Sequence, residues 1–235
     1  MREEFKNNNW SKRFLPHYNA DGKYQMITYR LADSIPQTIQ KNAIFKNPGS
    51  PQDIAGNKLL EVQRRKITED TLDKGYGSCL LKIDEVAQTQ ISNWKYFDGV
   101  KYDLISYVVM PNHVHVLIKT KADYTIAKIV WGWKTYVSKF VNSRLDLYEQ
   151  FLDSFEKKKN ICYKAAPSAR QHYNKPAKSC GMPGIRKQSI WYREYWDRFI
   201  RDEKHFQSAI EYIHNNPVKA GLCAKQADWK WSSAN

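Results

Sequence analysis

Two apolar stretches separated by only three residues constrain the fold of this chain more than any other feature. Residues 102–109 and 113–118 are rich in β-branched and aromatic side chains, and Met-Pro-Asn at 110–112 separates them. Two strands joined by so short a break pair as an antiparallel hairpin. The sequence therefore predicts a β-hairpin near the middle of the chain.

Two histidines lie on the second of these strands. Side chains alternate between the faces of a strand, so His113 and His115 share one face, while Val114, Val116 and Ile118 share the other. Residues two apart on a strand are separated by roughly 6.5–7 Å, which allows two imidazoles to converge on one divalent ion. The pair fits either a metal site or two histidines on a solvated sheet face, and it does not by itself decide between them.

Strands and helices are mixed along the rest of the chain. We predict a strand at 24–31 and a short one at 189–192. Polar or amphipathic helical patterns predict helices at 58–73, 80–94, 124–145 and 202–215. Asn215-Asn216-Pro217 is expected to end the last helix.

The composition suits a polyanionic partner with exposed bases. Lys and Arg number 38 against 24 Asp and Glu, which gives a net charge of +14, and 14% of the residues are aromatic. Cations bind phosphates and aromatic rings stack on bases, so nucleic acid is the expected partner. The 42% of hydrophobic residues exclude a disordered tail protein. Without a run of 18 apolar residues, a signal-peptide core or a disulfide-dense pattern, we expect a cytoplasmic protein.

Residues 151–188 differ from the rest of the chain in charge. They contain nine Lys and Arg residues against Asp153 and Glu156, a net charge of +7, together with three prolines and two glycines. These breakers predict a flexible basic insertion within a single domain covering residues 1–235. The insertion could lie along a phosphate backbone. Its Cys162, His172 and Cys180 are too widely spaced to predict a zinc site.

A second group of candidate residues surrounds a tyrosine further along the chain. Tyr195 lies among Arg193, Arg198 and Arg201. Nearby cations favour a phenolate and bind a phosphodiester, and a tyrosine oxygen can attack phosphorus to form a covalent intermediate. The stretch is also rich in Tyr and Trp and fits the edge of an apolar core equally well.

Four motifs follow one another over nearly the whole chain. They are residues 13–17, the His-hydrophobic-His segment at 109–117, the stretch 191–203 with its continuation at 212–222, and residues 229–234. Together they resemble the REP-associated tyrosine transposases of bacteria, a branch of the single-tyrosine transposases that carry this HUH segment.

The resemblance implies a ferredoxin-like α+β fold, in which an antiparallel sheet has helices packed on one face. The basic loop insertion and a C-terminal helical extension are added to it. The implied activity is a metal-dependent endonuclease and strand transferase that nicks single-stranded DNA next to short palindromic hairpins. A 5′-phosphotyrosine link conserves the phosphodiester energy, which agrees with the lack of an ATP-binding loop motif. We expect a nucleoid-associated, cytoplasmic monomer that binds hairpin-bearing single-stranded DNA and no membrane.

The implied roles can be carried over residue by residue. His113 and His115 become metal ligands and Tyr195 the nucleophile, with Tyr192 as the alternative nucleophile. The implied cofactor is Mg²⁺ or Mn²⁺, of which Mn²⁺ suits imidazole ligands better.

The third metal ligand departs from the pattern of related transposases. They complete the site with a Gln one helical turn after the tyrosine, where this chain has Phe199. Asp202 is therefore expected to be the third ligand, with Glu203 and His205 as alternatives.

DNA contacts are expected from basic and aromatic side chains near the motifs. The candidates are Arg13, His17, Arg30, Lys134, Arg198 and Arg201, alongside Trp131 and Trp133. Two other functions fit the sequence: a non-catalytic module that holds structured DNA or RNA, and a metal-dependent phosphoesterase that uses water. The intact histidines and Tyr195 argue against the first, and the second predicts that Tyr195→Phe retains cleavage.

Overall fold

The computed structural model describes residues 10–12, 16–18, 22–40, 54–121, 123–164 and 188–235. Within them lie the strands β1 (Trp10–Lys12), β2 (Pro16–Tyr18), β3 (Tyr24–Arg30), β4 (Tyr102–Val109), β5 (His113–Thr120) and β6 (Trp196–Phe199). The α-helices are α1 (Gln37–Gln40), α2 (Ile54–Asp73), α3 (Asp84–Tyr96), α4 (Ile126–Ser143), α5 (Leu145–Lys164) and α6 (Glu203–Lys219). Short 3-10 helices lie at Leu80–Lys82 and Gln226–Asp228.

Four antiparallel strands form the central sheet, in the order β4-β5-β3-β6. The hairpin expected at the middle of the chain is the β4–β5 pair. Strand β3 lies beside β5 with Thr28 opposite His115 and Arg30 opposite His113. This register places Thr28, Arg30 and both histidines on the same face of the sheet.

The two faces of the sheet are covered by different helices. The main apolar core combines Ile27, Val114 and Val116 with buried side chains of α3 and α4, such as Trp94 and Trp133. On the other face, α6 packs Ala209 and Ile213 against Leu117. The chain is therefore an α+β fold with an antiparallel sheet, as expected, and its C-terminal helical extension lies on the face that carries the histidines.

The short strand expected at 189–192 lies instead at Trp196–Phe199, and two helices continue where we expected a break. Helix α5 continues to Lys164, although we expected irregular structure from residue 151. Every proline and glycine of that stretch lies beyond residue 166, so nothing breaks the helix earlier. Residues 165–187, with His172 and Cys180, lie outside the described residues, as does the Cys162 side chain. Helix α6 also passes through Pro217, because this proline lies in its last turn and displaces only one hydrogen bond.

The C-terminal segment covers the outer edge of the sheet. The backbone N–H of Val109 donates to the carbonyl of Trp231, and the Trp229 indole donates to the carbonyl of Val109. The N–H of Ser233 donates to the carbonyl of Tyr107. Edge strand β4 thus has its outward backbone groups satisfied by the chain's own tail. None of the described helices is long and apolar enough to cross a membrane.

A tight loop at residues 74–79 supports the end of the hairpin. The carbonyl of Tyr76 accepts a hydrogen bond from the Asn112 side chain, and Asp33 accepts one from the N–H of Ser78. Gly77 has φ +98°, and a Cβ built on it would lie 2.6 Å from the carbonyl oxygen of Asp33. Only glycine fits this approach to Asp33, and the neighbouring Tyr76 carbonyl is the group that holds Asn112.

Gly77→Ala should therefore destabilise the fold more than an ordinary positive-φ glycine would. Gly99→Ala is the matched control, since Gly99 has φ +75° and open space around its Cβ position. We expect a loss of about 1 kcal/mol in the free energy of unfolding for Gly99→Ala and about 3 kcal/mol for Gly77→Ala. Urea unfolding of both variants measures the difference. Equal losses would show that the contact with Asp33 does not constrain the loop.

Candidate active site

Two buried imidazoles lie side by side on the sheet face that α6 covers. His113 and His115 are each 1% exposed, and their ring centroids are 4.9 Å apart. The alternation of β5 predicted this shared face. The structure shows in addition that both rings are buried, so the pair is not a solvated surface feature.

In each imidazole, the Nδ1 atom is hydrogen-bonded to a neighbouring side chain. Nδ1 of His113 lies 2.8 Å from Oδ1 of Asn112, and Nδ1 of His115 lies 2.7 Å from Oγ1 of Thr28. The Asn112 oxygen only accepts, since its amide nitrogen already donates to the carbonyl of Tyr76. The His113 Nδ1 therefore carries the proton, and its Nε2 lone pair is available. Such a hydrogen bond behind the ring is typical of histidines that bind metals.

Both imidazoles are neutral at pH 7. Burial lowers the pKa of His115 to about 3, with a further contribution from the charge of Lys219. Burial, the neighbouring His115 and Lys219 hold the pKa of His113 well below its ordinary value. Neutral rings are the form that binds a cation, so the residues present fit a divalent metal.

A tyrosine that our sequence analysis did not select lies against these histidines. The ring centroid of Tyr212, on α6, is 5.3 Å from that of His115, and the planes are nearly perpendicular. Burial raises the pKa of the Tyr212 phenol, the nearby Glu69 carboxylate raises it further, and a hydrogen bond with Asn216 lowers it. Among the side chains that the structure describes, Tyr212 is the tyrosine that packs on the imidazole pair.

Asn216 lies one turn after Tyr212 on the same side of α6. It is 2% exposed, and its Oδ1 has no hydrogen-bond partner among the described residues. A buried carbonyl oxygen without a partner is costly unless a ligand satisfies it. No group of three or more His, Cys, Asp or Glu side chains within the described ranges could hold a metal ion. The amide oxygen of Asn216 is a candidate ligand of a different type.

Two contacts fix α6 over the sheet. Near its middle, Nε2 of His214 lies 3.0 Å from Oγ of Ser106 on β4 and 2.9 Å from Oγ of Ser233 in the C-terminal segment. At its end, Nζ of Lys219 lies 2.9 Å from a carboxylate oxygen of Asp73, the last residue of α2. These contacts fix the position of α6 along the sheet, and with it the position of the Tyr212 ring against the imidazoles.

The expected nucleophile, Tyr195, lies on the wrong face of the sheet. Strands β3 and β6 are in register from Thr28 opposite Trp196, but the next pairing beyond is an isolated bridge between Leu31 and Trp191. Two residues of β3 thus face the four residues 192–195, which form a bulge. Tyr195 directly precedes Trp196, which pairs with Thr28 on the histidine face, so strand alternation places Tyr195 in the main core, on the side of α3 and α4. In this structure Tyr195 does not reach the histidines.

Asp202 is also too far from the histidines to be the third ligand. It caps the start of α6 by accepting a hydrogen bond from the N–H of His205. Ten residues separate it from Tyr212, a helical rise of about 15 Å. Glu203 and His205 lie on the same first turn of α6, and Phe199 lies in β6. A ligand at Asp202 would need Tyr195 and Asp202 on one helical face, but Tyr195 lies before β6 and the helix begins at Glu203.

The alternative nucleophile, Tyr192, lies closer to the histidine face. Its N–H donates to the carbonyl of Arg30, and the Arg30 guanidinium carbon lies 3.6 Å from the centroid of the Tyr192 ring. Arg30 in turn lies opposite His113. Tyr192 is therefore about two strand spacings, or about 10 Å, from that histidine across the sheet.

The basic residues expected to bind DNA occupy different environments. Arg198 and Arg201 are exposed, whereas Arg30 is 5% exposed and packs on Tyr192. The Lys134 ammonium is half-buried and donates to the carbonyls of Tyr192, Arg193 and Glu194, so it braces the bulge. Arg13 and the side chain of His17, a residue of β2, lie outside the described residues.

The two tryptophans expected near DNA also differ in environment. Trp133 is buried in the core, and Trp131 is 71% exposed.

One pattern in the sequence points to Tyr212. The resemblance implies a Gln one helical turn after the tyrosine, and Asn216, which also carries an amide, stands four residues after Tyr212. The helix expected at 202–215 ends before Asn216, so the sequence alone does not place the two residues on one helical face.

Parts of the chain are similar to known transposases. Residues 62–158 match the family model described as "Transposase IS200 like". The chain is 42% identical over 48 residues to a protein named as a REP-associated tyrosine transposase in Haemophilus influenzae, covering 20% of this chain and 27% of that protein. It is 33% identical over 55 residues to the REP-associated tyrosine transposase of Escherichia coli, covering 23% of this chain and 30% of that protein. The matches thus span less than a third of those relatives.

A solved structure also aligns with this chain. It is a REP-associated tyrosine transposase bound to a REP hairpin, with a TM-score of 0.45, 15% identity, and coverage of 95% of this chain and 82% of that one. The family model and the two relatives confirm the resemblance to the tyrosine transposases that the motifs indicate.

The neutral imidazoles predict that the metal-free protein is sensitive to acid. Their pKa values are depressed in the folded state, so below about pH 6.5 the unfolded chain binds more protons and the free energy of unfolding falls. Between pH 6.5 and 4.5 we expect His115 alone to account for about 2 kcal/mol. Urea unfolding at several pH values in EDTA measures this, and His115→Asn should reduce the slope. A stability that is flat over this range would contradict neutral, buried rings.

Proposed function

We propose that this chain is a metal-dependent single-stranded DNA endonuclease and strand transferase that nicks next to short hairpins. The observation that carries the proposal is the contact between the Tyr212 ring and His115, one of a pair of neutral, buried imidazoles. The net charge of +14 supports a polyanionic substrate. The relatives that match parts of the chain are named as tyrosine transposases, which supports the same reaction class.

Tyr212 is the proposed nucleophile in place of Tyr195. Its oxygen would form a bond to phosphorus while the bond from phosphorus to the 3′ oxygen breaks. The phenol proton is lost and the departing 3′ oxygen gains one, so atoms and charge balance. The product is a 5′-phosphotyrosine ester, whose energy allows the strand to be rejoined without ATP.

The chain's own residues prepare this step by positioning. Asn112 and Thr28 fix the His113 and His115 rings, and α6 holds Tyr212 against them. Because the site is buried, charges inside it interact more strongly than they would in water. The Asn216 amide also donates to the phenol oxygen and favours its ionised form.

The proposed ligands are Nε2 of His113, an imidazole nitrogen of His115 and the amide oxygen of Asn216. A divalent ion held there supplies Lewis-acid polarisation of the phosphate. Imidazole and amide ligands suit Mn²⁺ better than Mg²⁺, which prefers an all-oxygen shell. Water and phosphate oxygens would complete the coordination.

The proposed substrate is a hairpin with a single-stranded flank, bound by a monomer that forms one domain over residues 1–235. Arg198 lies on the histidine face of β6, and Arg201 follows that strand. Both are exposed and are proposed phosphate contacts. Arg30 and Lys134 are proposed to act indirectly, because the Arg30 guanidinium is buried and the Lys134 ammonium is bound to three backbone carbonyls.

The proposal predicts which tyrosine becomes attached to DNA. Hairpin oligonucleotides drawn from the DNA that flanks the chain's own gene are incubated with the protein and Mn²⁺, and covalent adducts are resolved on denaturing gels. Tyr212→Phe should abolish the adduct and leave hairpin binding intact, since it removes one oxygen. Tyr195→Phe and Tyr192→Phe are the matched controls and should form it.

Other outcomes of this experiment point to different functions. An adduct that survives Tyr212→Phe and disappears in another tyrosine variant would refute the assignment of Tyr212. Cleavage without any adduct would indicate a water-using phosphoesterase, and tight binding without cleavage would indicate a non-catalytic binding module.

A further inference from the structure

Tyr192 presents an aromatic ring at the edge of the sheet, beside the candidate site. The ring is 37% exposed although one of its faces is covered by the Arg30 guanidinium, 3.6 Å from its centroid. Solvent therefore reaches the ring from the side away from Arg30. A flat ring with one supported face and one open face has the form of a base-stacking platform.

The support of this ring is rigid. Arg30 is buried, and its Nη1 donates to Oγ of Ser34 and to the carbonyl of Leu31. The Tyr192 backbone is tied to Arg30 by a 2.9 Å hydrogen bond, and the Lys134 ammonium binds the carbonyls of 192–194 from behind. Little conformational entropy remains to be lost when a base binds, which favours stacking.

The Tyr192 ring also lies close enough to the candidate site for one DNA strand to contact both. Arg30 stands between Tyr192 and His113 across the sheet, so the ring is about 10 Å from that ligand. A short single-stranded segment spans this distance. Arg193 follows Tyr192 directly, and its side chain is 60% exposed, so a cation lies beside the platform for a neighbouring phosphate.

We propose that Tyr192 is the stacking platform for an unpaired base of the DNA strand that flanks the hairpin. Arg30 supports one face of the ring, and the bulge at 192–195 places the ring at the edge of the sheet. This inference rests on the proposed function in one respect, namely that the ligand is single-stranded DNA. It gives Tyr192 a binding role that requires its ring and not its hydroxyl.

Binding measurements in a Tyr212→Phe background test the proposal without cleavage. Two oligonucleotides are compared by fluorescence anisotropy: a hairpin with a single-stranded flank and the same hairpin with blunt ends. Tyr192→Leu should weaken binding of the flanked hairpin about tenfold and leave the blunt hairpin unchanged. Tyr192→Phe should bind both as the parent does.

Tyr96→Leu is the matched control. Tyr96 is a more exposed tyrosine that packs edge-on against Phe97 at the end of α3, the helix on the opposite face of the sheet. This variant should bind both oligonucleotides normally. Equal binding of the flanked hairpin by Tyr192→Leu and its parent, or an equal loss with both oligonucleotides, would overturn the proposal.

A second measurement uses the unmodified Tyr192 and so does not depend on how its variants fold. Flanks that carry 5-iodouracil at successive positions are irradiated in the complex, and the crosslinked peptide is identified by mass spectrometry. A crosslink to Tyr192 supports the platform, and crosslinks confined to other residues refute it. If the wild-type chain forms no covalent adduct but the flank still depends on Tyr192, the proposed activity fails and the platform stands.

Discussion

The hydrogen bonds behind the two imidazoles are the interaction on which the rest of this site depends. Asn112 and Thr28 each hold the Nδ1 atom of one ring within 2.8 Å, in a buried part of the protein. Burial removes the proton that would otherwise compete for the second nitrogen of each ring. The Asn112 amide reaches back to the carbonyl of Tyr76, so the glycine-containing loop at 74–79 and the histidine it supports form one connected unit.

The two faces of the sheet differ: one contributes to the apolar core and the other carries the polar groups of the candidate site. The face under α3 and α4 is an aromatic and aliphatic core, and it contains Tyr195 and Trp191. The face under α6 carries the polar groups and is covered by a helix whose Tyr212 and Asn216 turn towards them. Within the bulge at 192–195, Tyr192 packs on Arg30 of the histidine face and Tyr195 lies in the main core. Lys134 stabilises the bulge from the core side.

Strand alternation was enough to predict where the histidines point. One register relates all residues of β5, and the apolar set Val114, Val116 and Ile118 can face only a core. The β4–β5 hairpin followed from composition for the same local reason. These predictions required no knowledge of what lies across the sheet.

The identity of the tyrosine could not be predicted in the same way. Its position depends on long-range features: the pairing of Trp196 with Thr28, which leaves Tyr195 on the core face, and an α6 helix that continues past Asn216 because its last turn is packed. A proline near a helix end is compatible with a helix that ends before it and with one that continues through it, and tertiary packing determines which occurs. The i, i+4 relation of Tyr212 and Asn216 was visible in the sequence, but it gained meaning only once both lay on one helix.

The central claim is that both imidazoles and the α6 tyrosine share one metal centre. Anomalous diffraction from crystals soaked in Mn²⁺ tests it most directly. We predict a peak about 2.1 Å from a nitrogen of both His113 and His115, with the Tyr212 hydroxyl beside it. A peak that lies elsewhere, or none between these rings at saturating Mn²⁺, would contradict the account.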